Sequence, residues 1–407
     1  MTLGYAFPMI SNIKDVMVAV SDDFRVVEKG EHTFINYNTM IGDAFPPVEG
    51  DNALIAALRR EFRGITFNTA TGDIVSRPYH KFFNFGERSD VPLTAMYQMD
   101  KPVILEKIDG SMIRPIIDMA GDVRWFTKMG LTDVGMAAES FAYFSDKKYG
   151  TEYYALAKFM VESNCTPLFE YTSPDTRIVV PHESESMVLL DIRANKTGAY
   201  YSRHIVRTIA KSFGITPVDF VDHLCKPTAR VFDLGRIVQD TKERTDGEGV
   251  VIVDKNGHRG KLKADDYVRL HRAKDRVKNE RRVMEVFIEE QLDDLIPLLS
   301  DFDKERVTRV AGEMAEALKG LEKELDMVYN SARQRFETKR DYAVSLENNG
   351  IWVRGAIFTL WDGKQPNAAT YVKTKVLNGM KTERGYEEMK KELGIHTTWV
   401  SSKVDEE

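Results

Sequence analysis

The chain has 407 residues, 43% of them hydrophobic and 29% charged, with 57 Lys and Arg against 63 Asp and Glu for a formal net charge of −6. That length gives a prior of about two to three domains, and the balance fits an ordinary soluble globular protein rather than a disordered, collagen-like or solenoid chain. The acidic balance argues against a surface coated in positive charge for indiscriminate nucleic-acid binding, while leaving room for a local basic groove.

No run of about 18 apolar residues occurs, and the opening MTLGYAFPMI lacks a basic stretch followed by an apolar one, so neither a membrane span nor a secretory leader is expected. Two cysteines, Cys165 and Cys225, are too few for a disulfide framework and form no CxxC motif. The expectation is a cytoplasmic protein without structural zinc. Eight histidines are scattered rather than clustered.

In chain order, residues 10–23 carry apolar residues at helical spacing, and residues 24–38 read as two strands around Gly30. From 101 to 193, short runs rich in β-branched and aromatic residues recur (KPVILEK, SMIRPII, DVRWFTKM, TPLFEYT, TRIVV, MVLLDIR), and these predict sheet strands. Residues 199–213 predict a helix ending at Gly214, with a second helical pattern at 217–225. The segment 247–263 predicts a hairpin. Taking Asn256-Gly257 as a two-residue turn sets Val250 opposite Lys263 and Ile252 opposite Lys261, with Glu248 on the same face. Beyond Tyr267 the chain is rich in Arg, Lys, Glu, Leu and Ala at helical period, which puts a domain boundary near 268–280. The expected fold class is α+β, with antiparallel sheets and flanking helices over 1–268 and an all-α domain over 269–407.

Three clusters carry candidate chemistry. Lys107 ends a β-prone run and is followed by Ile108-Asp109-Gly110, a tight turn; a lysine there is a candidate nucleophile if burial or neighbouring cations help it shed its proton. The alternative is a solvated turn. On the hairpin, Lys261, Lys263 and Glu248 form either an exposed salt-bridged surface or a phosphate and metal site. Upstream, Arg63-Gly64 precedes a strand-like run, and Lys81 stands among Phe82, Phe83 and Phe85, a pattern that suits phosphate and base together or simple core. Glu170 is a carboxylate alternating with apolar neighbours on a predicted strand, where such groups pair with a cation or bind a ribose or metal.

The succession RG, KFFN, KxDG, FEY with RIVV, EG and KLK resembles the covalent nucleotidyltransferases, the superfamily of DNA ligases, RNA ligases and capping enzymes. More narrowly it resembles the T-even bacteriophage RNA ligase 1 family, over about residues 34 to 267. The resemblance implies that Lys107 attacks the α-phosphate of ATP and holds AMP. It implies ATP contacts from Arg63, Lys81, Phe83, Asp109, Gly110, Lys128, Gly249 and Tyr267, and a sugar-side carboxylate at Glu170. Lys261 and Lys263 match the final lysine pair, and Arg177 is a weaker match. Mg²⁺ or Mn²⁺ would be held by Glu248, Asp109 and Glu170. Ile108 departs from the family, where an acidic residue is common. The implied activity joins single-stranded RNA ends, as in a nicked tRNA anticodon loop, by a monomeric enzyme with no membrane partner. A DNA ligase or GTP-dependent guanylyltransferase is the close alternative, although those typically carry a β-rich barrel after KLK; a noncatalytic RNA-end-binding module is the distant one. Residues 269–282, with seven Arg or Lys against two acids, either guide RNA or form an internally paired helix.

Overall fold

The computed structural model describes residues 4–38, 44–221, 233–344 and 351–400. The chain divides into two compact units, Met1–Val268 and Arg269–Glu406.

The first unit contains three antiparallel sheets. Strands β1 (Phe24–Lys29), β2 (His32–Tyr37), β3 (Arg63–Asn68) and β4 (Ile74–Ser76) follow one another in the first. The second has β5 (Val103–Lys107) at one edge, with β10 (Gly249–Val253) in the centre and β11 (Arg259–Lys263) beyond it. The third runs β7 (Val123–Phe126), β6 (Ser111–Ile117), β8 (Cys165–Thr172), β9 (Ser186–Ala194). Helices Asp133–Tyr149, Tyr153–Glu162 and Arg203–Ser212 cover one face of this third sheet, burying Trp125, Phe169 and Tyr171 against Ala138, Leu156 and Val206. Side chains alternate along a strand, so Glu170, between Phe169 and Tyr171, is left for the opposite face.

Main-chain pairing ties the second and third sheets together. Residues 216–221 run between them: Leu189 N–H donates to Thr216 O and Val218 N–H to Leu189 O, each at 2.9 Å. On the other side Glu106 N–H donates to Asp219 O and Val221 N–H to Ile104 O, each at 3.0 Å. This corrects the expected helix at 217–225 for residues 217–221, where the Val218 and Val221 amides are committed to two sheets; 222–225 lie outside the described residues. Segment 81–85 likewise lies along β11, with Lys261 N–H donating to Phe83 O at 3.1 Å and Phe85 N–H to Lys261 O at 2.9 Å.

Other expectations also change. The helix expected over 10–23 is a single turn, Lys14–Met17. The TRIVV run is a loop whose Val179 and Val180 amides serve Asp109 rather than a neighbouring strand. The 247–263 hairpin is shifted by one residue, with Gly249 opposite Lys263 and Val251 opposite Lys261. Asp254 causes the shift: its Oδ1 accepts from both Asn256 N–H (2.8 Å) and His258 N–H (3.0 Å), which closes a three-residue loop in place of the two-residue turn.

Among the described residues the second unit is helical, built around the 35-residue helix Asp301–Arg335. Ser300 caps this helix by accepting from Asp303 N–H, and Val307, Val310, Met314 and Leu325 are buried along one stripe. Within 269–282, Arg276, Arg281 and Arg282 pair with Glu289, Glu383 and Glu285. No helix of the described residues is long and apolar enough to cross a membrane.

Candidate functional site

The second sheet aligns the residues expected to do chemistry. Gly249 pairs with Lys107 on one side and Lys263 on the other, so the three form a row across β5, β10 and β11. Glu248 precedes the strand, and its carboxylate sits between the two amines, 2.5 Å from Lys107 Nζ and 2.8 Å from Lys263 Nζ. Burial alone would raise this carboxyl, but Lys107 and Lys263 outweigh it and hold it below the usual range. The sequence expectation set Glu248 on the hairpin face of Lys261 and Lys263 and had those cations crowd the Lys107 amine; the structure places the carboxylate directly between Lys107 and Lys263. Lys107 keeps 21% of its side chain exposed, so a ligand can reach it.

The backbone at Gly249 makes the row possible. Its φ is +140°, and a Cβ there would lie 2.1 Å from Leu262 O and 2.8 Å from Lys263 Cα, both main-chain atoms that cannot move aside. Gly249→Ala is therefore expected to displace β10 from β11, costing on the order of 1–3 kcal/mol in denaturant unfolding. It should also lower covalent labelling by nucleotide well beyond what lost stability explains.

Around this row stand Arg63, Lys81, Lys128, Glu170 and Lys261. Burial, followed by the neighbouring Lys107, Lys263, Arg63 and Lys81, pushes the Lys261 amine down to about 7. Burial and the nearby Arg63 bring Lys81 down to about 8; its ammonium also lies 5.2 Å from the Phe83 ring centroid and 5.3 Å from that of Tyr37. Glu170 is pushed up to about 8 by burial, with Glu248 and Asp109 adding repulsion against the pull of Lys107 and Arg63. Lys128 is held near Arg63 by Gly64, on whose Cα side its backbone packs, and by Asn36, which donates to Lys128 O at 3.0 Å.

These values set a direction with pH. A polyphosphate favours the protonated Lys261 amine, so affinity for α,β-methylene-ATP, which cannot release pyrophosphate, should weaken as pH rises between about 6 and 8, approaching at most about tenfold per unit for one linked proton. Titration calorimetry at several pH values checks this. The share of the slope that belongs to Lys261 should vanish in Lys261→Met, and an unchanged slope there refutes the assignment.

Asp109 is placed differently from the expected metal ligand. Its Oδ2 accepts from Val179 N–H (2.8 Å) and Val180 N–H (2.7 Å), and its Oδ1 from the Tyr267 hydroxyl (2.7 Å). Asp109 thus clamps the 177–180 loop and Tyr267 behind the Lys107 turn. Arg177 belongs to that loop, donating to Val179 O at 2.8 Å. Lys263 lies 4.9 Å from the Tyr267 ring centroid. Gly110 lets β8 approach, since a Cβ there would meet Tyr171 O at 2.4 Å.

Among the described residues no group of three or more His, Cys, Asp or Glu side chains is arranged to hold a metal ion. Of the expected Glu248, Asp109 and Glu170 set, Asp109 has its carboxylate engaged by the Val179 and Val180 amides and the Tyr267 hydroxyl. Glu170 and Glu248 still suit Mg²⁺ or Mn²⁺: such ions need only one or two carboxylates beside waters and substrate phosphates, and the mutual repulsion that helps raise Glu170 is what a divalent cation relieves.

Between the second and third sheets lies a cavity of about 180 Å³, whose walls include Arg63, Lys107, Gly110 and Glu170. Phe83 is not on its wall. Alternation along segment 81–85 turns Phe83 into the core, stacked on by Arg60 (4.8 Å), and gives the cavity Phe82. Sequence reading also missed Tyr79, Met112 and Arg259 on the walls. Arg259 was detectable, since it shares the odd-numbered face of Lys261 and Lys263.

A family model described as RNA ligase matches residues 61–275, more than half of the chain. A putative RNA ligase of Thermovibrio ammonificans is 38% identical over 145 residues, covering 35% of this chain and 36% of that protein. RNA ligase 1 of bacteriophage TS2126 is 25% identical over 301 residues, covering 72% of this chain and 71% of the other. A solved archaeal ATP-dependent RNA ligase, 13% identical over 76% of this chain and 79% of its own, gives a TM-score of 0.42, a likeness too slight to argue from.

Proposed function

The chain belongs to the RNA ligase family, and from that premise we propose that it is an ATP-dependent RNA ligase of the phage RNA ligase 1 type. Lys107 attacks the α-phosphate of ATP, forming a P–N bond as the bond to pyrophosphate breaks, and the proton leaves the amine. AMP passes from Lys107 to the 5′-phosphate of an RNA, restoring the amine and creating a 5′–5′ pyrophosphate linkage. A 3′-hydroxyl then attacks that 5′-phosphate, forming the phosphodiester and expelling AMP. The observation that carries this reading is Lys107 Nζ held 2.5 Å from a carboxylate it shares with Lys263, at the mouth of a cavity.

The residues divide the work by position. Glu248 Oε2 is the base within reach of the Lys107 proton. Lys261, Lys263 and Arg63 place positive charge where phosphate oxygens arrive, the dominant requirement in phosphoryl transfer. A divalent ion held by Glu248 and Glu170 supplies further charge neutralisation there when bound. Residues 1–268 act as the adenylyltransferase domain, and 269–407 help choose the substrate, single-stranded RNA ends such as those of a nicked tRNA anticodon loop.

The helical character of the described second unit favours this reading over a DNA ligase or a guanylyltransferase. Incubation with labelled ATP and GTP, then with 5′-phosphorylated RNA and DNA, tests it. Label from ATP and sealing of RNA are expected. Label from GTP alone, or sealing confined to DNA, overturns it.

A further inference from the structure

Arg259 begins β11 and lines the cavity while only 3% exposed. Its guanidinium is fixed on several sides. Nε donates to Gly257 O at 3.0 Å and Nη1 to Asp191 Oδ2 at 2.9 Å, and the carbon lies 4.5 Å and 4.0 Å from the ring centroids of Tyr79 and Tyr200. Asp191 is itself held by Arg203. The third nitrogen, Nη2, is buried and has no hydrogen-bond partner. Buried guanidinium donors are nearly always satisfied, so one left over on a residue that lines the cavity points to an acceptor supplied by what enters it.

Position narrows the kind of acceptor. Arg259 is four residues from Lys263 on the same strand face, about 13 Å away at the usual rise. A phosphate beside Lys107 and Lys263 does not span that. The neighbouring walls are Tyr79, Phe82, Leu105, Leu190, Val218 and Val251, which suit a flat heterocycle rather than an anion.

We propose that Arg259 Nη2 donates a hydrogen bond to a ring nitrogen of the purine base of the bound nucleoside triphosphate, making Arg259 a specificity-determining residue of the adenylylation step. The inference rests on the ligase reading above. A purine ring nitrogen is a pure acceptor on a rigid frame, so this contact sets how far the nucleotide enters and thereby where its α-phosphate stops relative to Lys107.

The test measures covalent labelling of the wild-type protein, R259K and R259Q by ATP and by its 1-deaza, 3-deaza and 7-deaza analogues, each of which replaces one ring nitrogen with C–H. In the wild type, one analogue should raise KM by about tenfold with kcat nearly unchanged, and the other two should match ATP. Both variants should show the raised KM with ATP itself and should not distinguish that one analogue from ATP. A merely structural arginine predicts equal losses with all four nucleotides. Three analogues equal to ATP in the wild type, or an analogue penalty that persists in both variants, overturns the inference while leaving the ligase reading intact. The wild-type comparison stands even if both variants unfold. A wild-type protein that takes no label from any of the four overturns both.

Discussion

Lys107→Ala is expected to take up no AMP from ATP labelled at its α-phosphate, a loss of more than about 10³-fold, as removal of a covalent nucleophile costs other enzymes. The row Lys107, Gly249, Lys263 holds two amines on one carboxylate, and only one can become the adduct. Lys107 is the one at the turn beside the cavity wall; Lys263 packs on the Tyr267 ring. On the proposed route Lys107 is only a carrier, so the same variant should still seal RNA supplied with AMP already on its 5′ end. Retained sealing also shows that the variant is folded. Label that persists at normal yield in Lys107→Ala transfers the nucleophile's role to Lys263, and loss of sealing together with labelling points to collapse of the site instead.

Glu61→Leu is expected to be the most damaging change to stability. Glu61 is wholly buried, two residues before Arg63, and accepts from Arg77 Nε at 3.1 Å and from both terminal nitrogens of Arg193 at 2.9 Å and 2.8 Å, with Arg77 Nη2 a further 2.9 Å ion-pair contact. Burial alone would raise its carboxyl; Arg193 and Arg77 more than reverse that, so its contribution is present above the ordinary carboxylate range and lost as pH falls through the lowered value. Leucine leaves two buried guanidinium groups facing each other. Breaking such a pair costs about 3–5 kcal/mol, a large part of the roughly 5–15 kcal/mol that holds a typical domain together. Urea unfolding should show it, with a fall in Tm on the order of 10 °C. A change below about 1 kcal/mol, the range of a surface pair, sinks the argument.

Much of the site was readable because it lies on strands, where spacing reports facing. Glu170 between Phe169 and Tyr171 had to point away from the apolar layer, and Lys261 and Lys263 had to share a face. What failed depended on backbone details that residue types do not display. Glu248 reaches the lysines through the unusual φ of Gly249 and not through strand alternation, and the Asp254 side chain moved the hairpin register by one. Phe82 and Phe83 are chemically equal; only the pairing of segment 81–85 with β11 decides which meets the cavity. The partners of Asp109, the Val179 and Val180 amides and Tyr267, could not be read because they are distant in sequence. Helices Asp133–Tyr149 and Tyr153–Glu162 escaped the sequence reading, and the first carries exposed Tyr143, Phe144 and Tyr149, which blur an amphipathic stripe.

The strap at 216–221 has a consequence for how this molecule tolerates change. Its grip on both walls of the cleft comes from amide and carbonyl groups, which nearly every amino acid supplies, while the side chains of Thr216 and Asp219 face water. Drift in composition at Thr216 and Asp219 should leave the spacing of the two walls untouched. Proline at 218 or 221 is different: lacking the N–H that makes the strap, it should let the walls part while every ionisable group of the cleft remains in place.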